Sequence, residues 1–139
     1  MKFGKYAVIA PVEYTLENES DWTWTFKPPT AKDELQLQSF LTHKRTVTLG
    51  GRTETIPATF MEMVFEELAL TFGGTSIPSF IEEDGEWVAT DKPILKEKAT
   101  KAEVKKVLGE MPTELVLELW RALGEHVPNW GPTKKDPKD

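Results

Sequence analysis

The chain has 139 residues, of which 39% are hydrophobic and 29% charged, and its formal net charge is −6. This length predicts one domain, and the acidic balance disfavours binding to the phosphate backbone of DNA or RNA. Cysteine is absent, which fits a reducing compartment, and no apolar run reaches the roughly 18 residues of a membrane span. We therefore expect a cytoplasmic protein that binds neither nucleic acid nor membrane.

The first part of the chain predicts strands. Residues 2–10 and 12–16 are two candidates, and residues 22–27 form a third in which aromatic and polar residues alternate. This alternation is the period of a strand with one buried face. Two prolines then end the strand, because neither can donate to a ladder. The alternating aromatic residues are Trp22, Trp24 and Phe26.

A helix and a hairpin follow. Thr30 and Asp33 form a capping box that opens a helix over residues 31–43. Its predicted core face carries Leu35, Leu37, Phe40 and Leu41. Residues 45–56 then predict a hairpin, because two β-branched runs flank Gly50 and Gly51. We expect it to be either a surface flap or an addition to the N-terminal sheet.

The middle of the chain predicts a central helix. Thr59 and Glu62 form a second capping box, and residues 60–72 are apolar over most of the helix circumference, which is typical of a helix packed on two sides. Its polar side is predicted to comprise Glu62, Glu66, Glu67 and Thr71. Gly73 and Gly74 are interpreted as a helix stop with positive φ.

The next segment predicts a second hairpin. Residues 79–89 turn at Asp84 and Gly85, a pair that favours the tight turn of a hairpin. We expect Phe80 and Ile81 to face Trp87 and Val88 across the two strands. Residues 90–99 are interpreted as a charged linker.

Two further helices complete the pattern. Thr100 and Glu103 form a third capping box for a helix over residues 101–108, which Gly109 is predicted to end. Pro112 then starts a last helix that extends to about His126. Apolar residues recur at helical spacing on one face of this helix, and we predict that this face packs in the core. These residues are Leu115, Val116, Leu119, Trp120, Leu123 and Val127.

Together these elements predict the α+β class: a single domain over residues 1–132 with an antiparallel N-terminal β part, hairpins and about four helices. Residues 133–139 contain no apolar side chain and are predicted to form a disordered C-terminal tail.

The sequence offers little for catalysis or metal binding. His43 and His126 are the only histidines, and without cysteine they are too few to hold zinc. Neighbouring helical carboxylates diverge by about 100°, so the acidic pairs cannot share a cleft by themselves. The segment after Gly73 lacks the lysine of a phosphate loop. We therefore predict no catalytic residue, no cofactor and no metal site.

The aromatic residues are the more informative candidates. Tryptophan is enriched at the energetic centres of protein interfaces, which suggests a partner-binding patch, whereas the alternative is that the same side chains fill the core. For Trp130, beyond the last helix, the alternative is a staple that fixes the chain end. The hypothetical partner-binding residues are Trp22, Trp24, Phe26, Trp120 and Trp130.

Three segments carry a family resemblance. They are Lys27-Pro28-Pro29-Thr30-x-x-Asp33-Glu34-Leu35, the helix over residues 60–72 that ends in Gly73-Gly74-Thr75, and the stretch from Met111-Pro112 to Trp130-Gly131-Pro132. Together they resemble small tail assembly chaperones of long-tailed, siphovirus-type bacteriophages. The resemblance extends over roughly residues 22–132.

This resemblance implies a non-enzymatic protein of the host cell cytoplasm that binds the long tape-measure protein and recruits tail-tube subunits. It also implies a longer form that arises by ribosomal frameshifting. The family has no sharply defined binding residue, so no residue is transferred. An apolar groove on helices 60–72 and 113–126 would serve such a partner, or self-association into a homo-oligomer.

Other functions remain as alternatives. A phage-encoded inhibitor that docks on a host enzyme such as RNA polymerase would suit a small, acidic, aromatic-rich fold equally well. A small enzyme would require acidic residues that converge in a cleft with shifted pKa values. A structural protein of the virion is a further alternative, which mass spectrometry of purified particles would identify.

Overall fold

A computed structural model gives the fold and describes residues 10–42, 45–49, 51–56 and 59–127. The elements are β1 (Val12–Thr15), β2 (Thr23–Phe26), α1 (Ala31–Thr42), β3 (Arg45–Leu49), β4 (Arg52–Ile56), α2 (Phe60–Leu70), β5 (Phe72–Thr75), β6 (Pro78–Glu83), β7 (Glu86–Pro93), α3 (Lys101–Glu110) and α4 (Thr113–His126). These elements confirm the α+β class. Residues 2–9 of the first predicted strand, Trp130 and the tail over residues 133–139 lie outside the described residues.

The central sheet has three antiparallel strands in the order β1-β2-β5. Trp24 of β2 pairs with Tyr14 of β1 on one side and with Thr75 of β5 on the other. The hairpin β3–β4 forms a separate two-stranded sheet, so among the described strands it does not extend the central sheet. The hairpin β6–β7 likewise forms a sheet of its own.

Strand β5 corrects the prediction of a long central helix with a glycine stop. Helix α2 ends at Leu70 with Thr71 as its C-cap, and the chain then enters the sheet. Gly73 permits this close approach, because a Cβ at this position would lie 3.2 Å from the backbone nitrogen of Lys27 and from the carbonyl oxygen of Thr25. The two glycines therefore serve strand pairing, and they do not terminate the helix.

Helix α2 is central, as its apolar circumference predicts, and packs against α1, α3 and α4. The three predicted capping boxes form, with Thr30, Thr59 and Thr100 as the N-terminal partners. The inner side of the sheet and the helices share one hydrophobic core. Its largest fully buried apolar side chains are Trp24, Phe26, Leu37, Leu68, Leu108, Leu119 and Leu123.

One of the four residues predicted to form the core face of α1 is exposed in the structure. Leu37 is fully buried, and Phe40 and Leu41 are half-buried, whereas Leu35 remains 71% exposed. Residues 35 and 37 are separated by about 200° around a helix, so they cannot both face the same core. The residues three and four positions after Leu37 share its side instead.

The polar side of α2 is not a solvent-exposed face, because Glu66, Glu67 and Thr71 are buried. Helices α3 and α4 cover this side and supply hydrogen-bond donors to both carboxylates. Thr71 donates its hydroxyl proton to the carbonyl oxygen of Glu67, 2.8 Å away.

Two predicted element boundaries, the end of the second hairpin and the end of α3, differ from those in the structure. The segment interpreted as a charged linker from residue 90 begins as the end of β7, and Leu95 within it is buried in the core. Gly109 does not end α3, which continues to Glu110. Here the helix ends only where Met111 takes an extended conformation before Pro112.

Candidate functional site

The hairpin β6–β7 is the most exposed apolar feature of the described structure. Its side chains Phe80, Ile81, Trp87 and Val88 are all exposed, and Trp87 most of all, at 70%. We call this set the apolar ribbon. Soluble proteins expose scattered apolar side chains routinely, but a contiguous set on one element is typical of an interaction site.

The local sequence explains why the hairpin forms. Asp84 and Gly85 both adopt positive φ angles, of 52° and 82°. A two-residue turn with positive φ at both positions matches the twist of the flanking strands, and Asp-Gly is a favoured pair for it. The predicted hairpin and its turn are therefore confirmed.

The strand register places apolar side chains on both faces of this hairpin. Ile81 pairs directly with Val88, so these two share one face. Phe80 pairs with Ala89, and Trp87 pairs with Glu82, which places the two aromatic residues together on the opposite face. A two-stranded hairpin is only marginally stable alone, and residues 81–89 of this one are exposed on both faces.

The base of the hairpin is fixed to the core while its tip projects. Buried Ile77 and Leu95 flank the two strands, and the amide of Ile94 donates to the carbonyl of Ile77 at 2.7 Å. The ring of Phe80 meets the ring of Trp22 edge to face, with their centroids 5.9 Å apart. The half-buried Trp22 of the body therefore contacts the ribbon at Phe80, at the end of the hairpin far from the turn.

A second feature is an open depression between α1 and α3, about 500 Å³ in volume. Its rim includes the exposed Leu35 and the half-buried Phe40, and the buried carboxylate of Glu66 forms part of its lining. The depression is wide and shallow, unlike the enclosed pockets that hold small ligands.

The charge of Glu66 is satisfied from within the protein. Lys101 donates to its Oε1 at 2.7 Å, and Lys105 forms an ion pair with its Oε2. The ammonium of Lys105 also lies 4.6 Å from the centre of the Phe40 ring. This cluster ties α1, α2 and α3 together, so its evident role is structural.

The neighbouring carboxylate, Glu67, contacts a different helix. It accepts a hydrogen bond from the indole Nε1 of Trp120 at 2.9 Å. Burial raises the pKa of Glu67 above its ordinary value, the bond from Trp120 partly opposes this, and nearby Glu34 raises the pKa further. Since Glu66 contacts α3 and Glu67 contacts α4, the two carboxylates do not face a shared cleft.

Another long-range contact joins the sheet to α4. The hydroxyl of Tyr14 donates to Oε2 of Glu118 at 2.8 Å, and the backbone amide of Glu17 donates to the same oxygen at 3.0 Å. Burial and the adjacent carboxylate raise the pKa of Tyr14 well above its ordinary range. The phenol therefore stays protonated and acts as a donor that locks β1 onto the helix.

The predicted partner-binding residues do not form one patch in the described structure. Trp24 and Phe26 are fully buried, and Trp24 packs edge-on against Phe72 with centroids 5.0 Å apart. Trp120 is half-buried and bonded to Glu67. Trp22 is also half-buried, and it is the member of this set that touches the ribbon.

Sequence reasoning did not select the ribbon. It paired the hairpin residues across the strands, but it took their apolar character as cross-strand packing and placed Trp87 in no binding set. One signal was present: each strand carries two consecutive large apolar residues, Phe80-Ile81 and Trp87-Val88, and consecutive strand residues point to opposite faces. A strand that packs one face on a core shows apolar residues on that face alone, and this pattern does not.

No group of three or more acidic or histidine side chains is arranged to hold a metal ion in the described part of the chain. None of the helices in the described ranges combines the length and the apolar content that crossing a bilayer requires.

The comparisons with known proteins also found nothing. No protein-family model, no curated protein and no solved structure matches the chain.

Proposed function

We propose that this chain is a non-enzymatic tail assembly chaperone of a long-tailed bacteriophage, which binds the tape-measure protein and recruits tail-tube subunits in the host cytoplasm. The resemblance over roughly residues 22–132 supports the choice of partners. The apolar ribbon supports the mode of action, and it is the observation on which the proposal depends, because it offers large exposed side chains to another polypeptide.

The ribbon is a better candidate than the helices for this contact. The sequence predicts an apolar groove on α2 and α4, but most of their apolar side chains lie in the core. Phe60 of α2 is exposed, although its ring already packs edge-on against Trp120 at 5.2 Å. Four of the six exposed large apolar residues of the described structure belong to the ribbon.

The physical basis of the proposed binding is burial of the ribbon. Full burial of a large apolar side chain contributes about 1.5–3 kcal/mol. Aromatic residues at the centre of an interface dominate its energy, and surrounding contacts exclude water from them. A ribbon with apolar side chains on both faces suits a partner that wraps around it.

The first experiment tests binding directly. The full chain is mixed with overlapping fragments of the tape-measure protein of the same phage, and complexes are separated by size-exclusion chromatography. We expect co-elution with at least one fragment. The double variant Ile81→Thr and Val88→Thr keeps β-branched residues in the strands but removes apolar surface, and we expect it to elute separately.

A matched control uses Leu35→Ala, because Leu35 is as exposed as Trp87 but lies on α1, outside the ribbon. This variant should co-elute as the wild type does. Separate elution of the wild type from every fragment would reject the proposal. Capture of a purified host enzyme such as RNA polymerase, with no tape-measure binding, would favour the docking inhibitor instead.

A further inference from the structure

The apolar ribbon is bordered by acidic side chains. Between Pro78 and Pro93 the hairpin carries five carboxylates and one lysine. All five are exposed, and none forms an ion pair with another described residue. They are Glu82, Glu83, Asp84, Glu86 and Asp91.

The register brings two of these charges into direct opposition. Glu83 pairs with Glu86 across the strands, on the face that also carries Ile81 and Val88. Like charges directly opposite each other destabilise a two-stranded sheet. On the other face, Glu82 lies opposite Trp87. Each face therefore presents apolar side chains beside negative charge that no other described residue neutralises.

From this arrangement, and resting on the proposed function, we propose that the segment that docks on the apolar ribbon is basic and amphipathic. Its apolar side chains cover both Trp87 on one face and the Ile81–Val88 pair on the other. Its Lys or Arg side chains lie against the carboxylates and relieve the repulsion between Glu83 and Glu86.

The same charges argue against a second copy of the chain as the occupant. Two β6–β7 hairpins in contact would bring together two sets of five carboxylates with one lysine each. Like-charge juxtaposition of this kind opposes association. The charge of the hairpin therefore favours binding of a positively charged partner over binding of a second copy of the chain.

The test uses two synthetic peptides with identical leucine and phenylalanine positions, one with lysine and the other with glutamine at the polar positions. Binding to the full chain is measured by fluorescence anisotropy. The lysine peptide should bind about tenfold more tightly, the combined effect expected of three solvent-exposed ion pairs. Its affinity should fall several-fold between about 0.05 M and about 0.3 M salt.

Two triple variants distinguish an effect of the hairpin carboxylates on peptide binding from an effect of the net charge of the chain. Replacing Glu82, Glu83 and Glu86 by Gln should weaken binding of the lysine peptide about tenfold. The control replaces three carboxylates that are exposed elsewhere, and it should leave the affinity within about twofold of wild type. The control positions are Glu13, Glu110 and Glu125.

The outcomes distinguish this inference from the proposed function. Equal affinity for both peptides, or equal losses in the two triple variants, would overturn the charge preference. If tape-measure fragments bind and the hairpin Gln variant retains them fully, the charge inference fails while the proposed function stands. If no fragment binds but the lysine peptide shows the expected preference, the proposed function fails alone.

Discussion

Replacing Trp87 by Ala tests whether the most exposed aromatic residue contributes to binding and not to folding. The side chain is 70% exposed and projects from β7, opposite Glu82. A tryptophan buries up to about 250 Å² when fully covered, so about 175 Å² of this one remains for a partner. At about 25 cal/mol per Å², the upper limit of its contribution to binding is about 4 kcal/mol.

Covering half of that area would contribute about 2 kcal/mol, which corresponds to a roughly 30-fold change in Kd. We therefore expect Trp87→Ala to weaken binding of a tape-measure fragment about 30-fold, measured by isothermal titration calorimetry. The free energy of unfolding should fall by less than about 1 kcal/mol, because the residue contributes only one cross-strand pair to the fold.

The Leu35→Ala variant is again the matched control, since it removes an equally exposed apolar side chain from α1. Its affinity should match that of wild type. Unchanged affinity in Trp87→Ala would refute the assignment of the ribbon as the contact surface. A loss of several kcal/mol in urea unfolding would show instead that Trp87 supports the fold.

Three further predictions concern stability, each measured by urea unfolding. Burial raises the pKa of Glu67 above 4.5, so the folded state favours the protonated form and wild type loses stability as pH rises through the raised pKa. Glu67→Gln should lack this loss, and parallel pH profiles of the two proteins would contradict the prediction. Glu66→Gln leaves two lysines of α3 without their carboxylate and should lower the free energy of unfolding by about 1–3 kcal/mol; no loss would show that the ion pairs contribute nothing. Gly73→Ala should cost about 1–3 kcal/mol because its Cβ would press on the backbone of β2, and a neutral result would show that β2 can shift. Gly124→Ala, in open space on α4, is its control and should gain about 0.5–1 kcal/mol.

The predictions that hold depend on local chemistry. The capping boxes at Thr59 and Thr100 form because a hydroxyl and a carboxylate three residues apart satisfy each other's backbone amides. The turn at Asp84 and Gly85 forms because both residues tolerate positive φ. Neither result requires knowledge of any distant segment.

The wrong predictions share a different cause. Phe72 continues the apolar pattern of α2, yet it belongs to β5, because pairing with β2 competes successfully with one more helical turn. Glu66 and Glu67 look like a solvated helix face in the sequence. Their burial follows from Lys101 and Trp120, which lie 35 and 53 residues further along the chain.

In the described part of the chain, the sequence by itself determined the four helices, the capping boxes at Thr30, Thr59 and Thr100, and the Asp84-Gly85 turn, because each depends on residues within a few positions of one another. Only the tertiary structure decided which apolar residues the body covers. Trp24 and Trp87 both lie on strands, each directly after a polar residue, and yet one is fully buried and the other is 70% exposed. The difference arises because the central sheet packs on helices, whereas among the described residues nothing packs on the outer part of the β6–β7 hairpin.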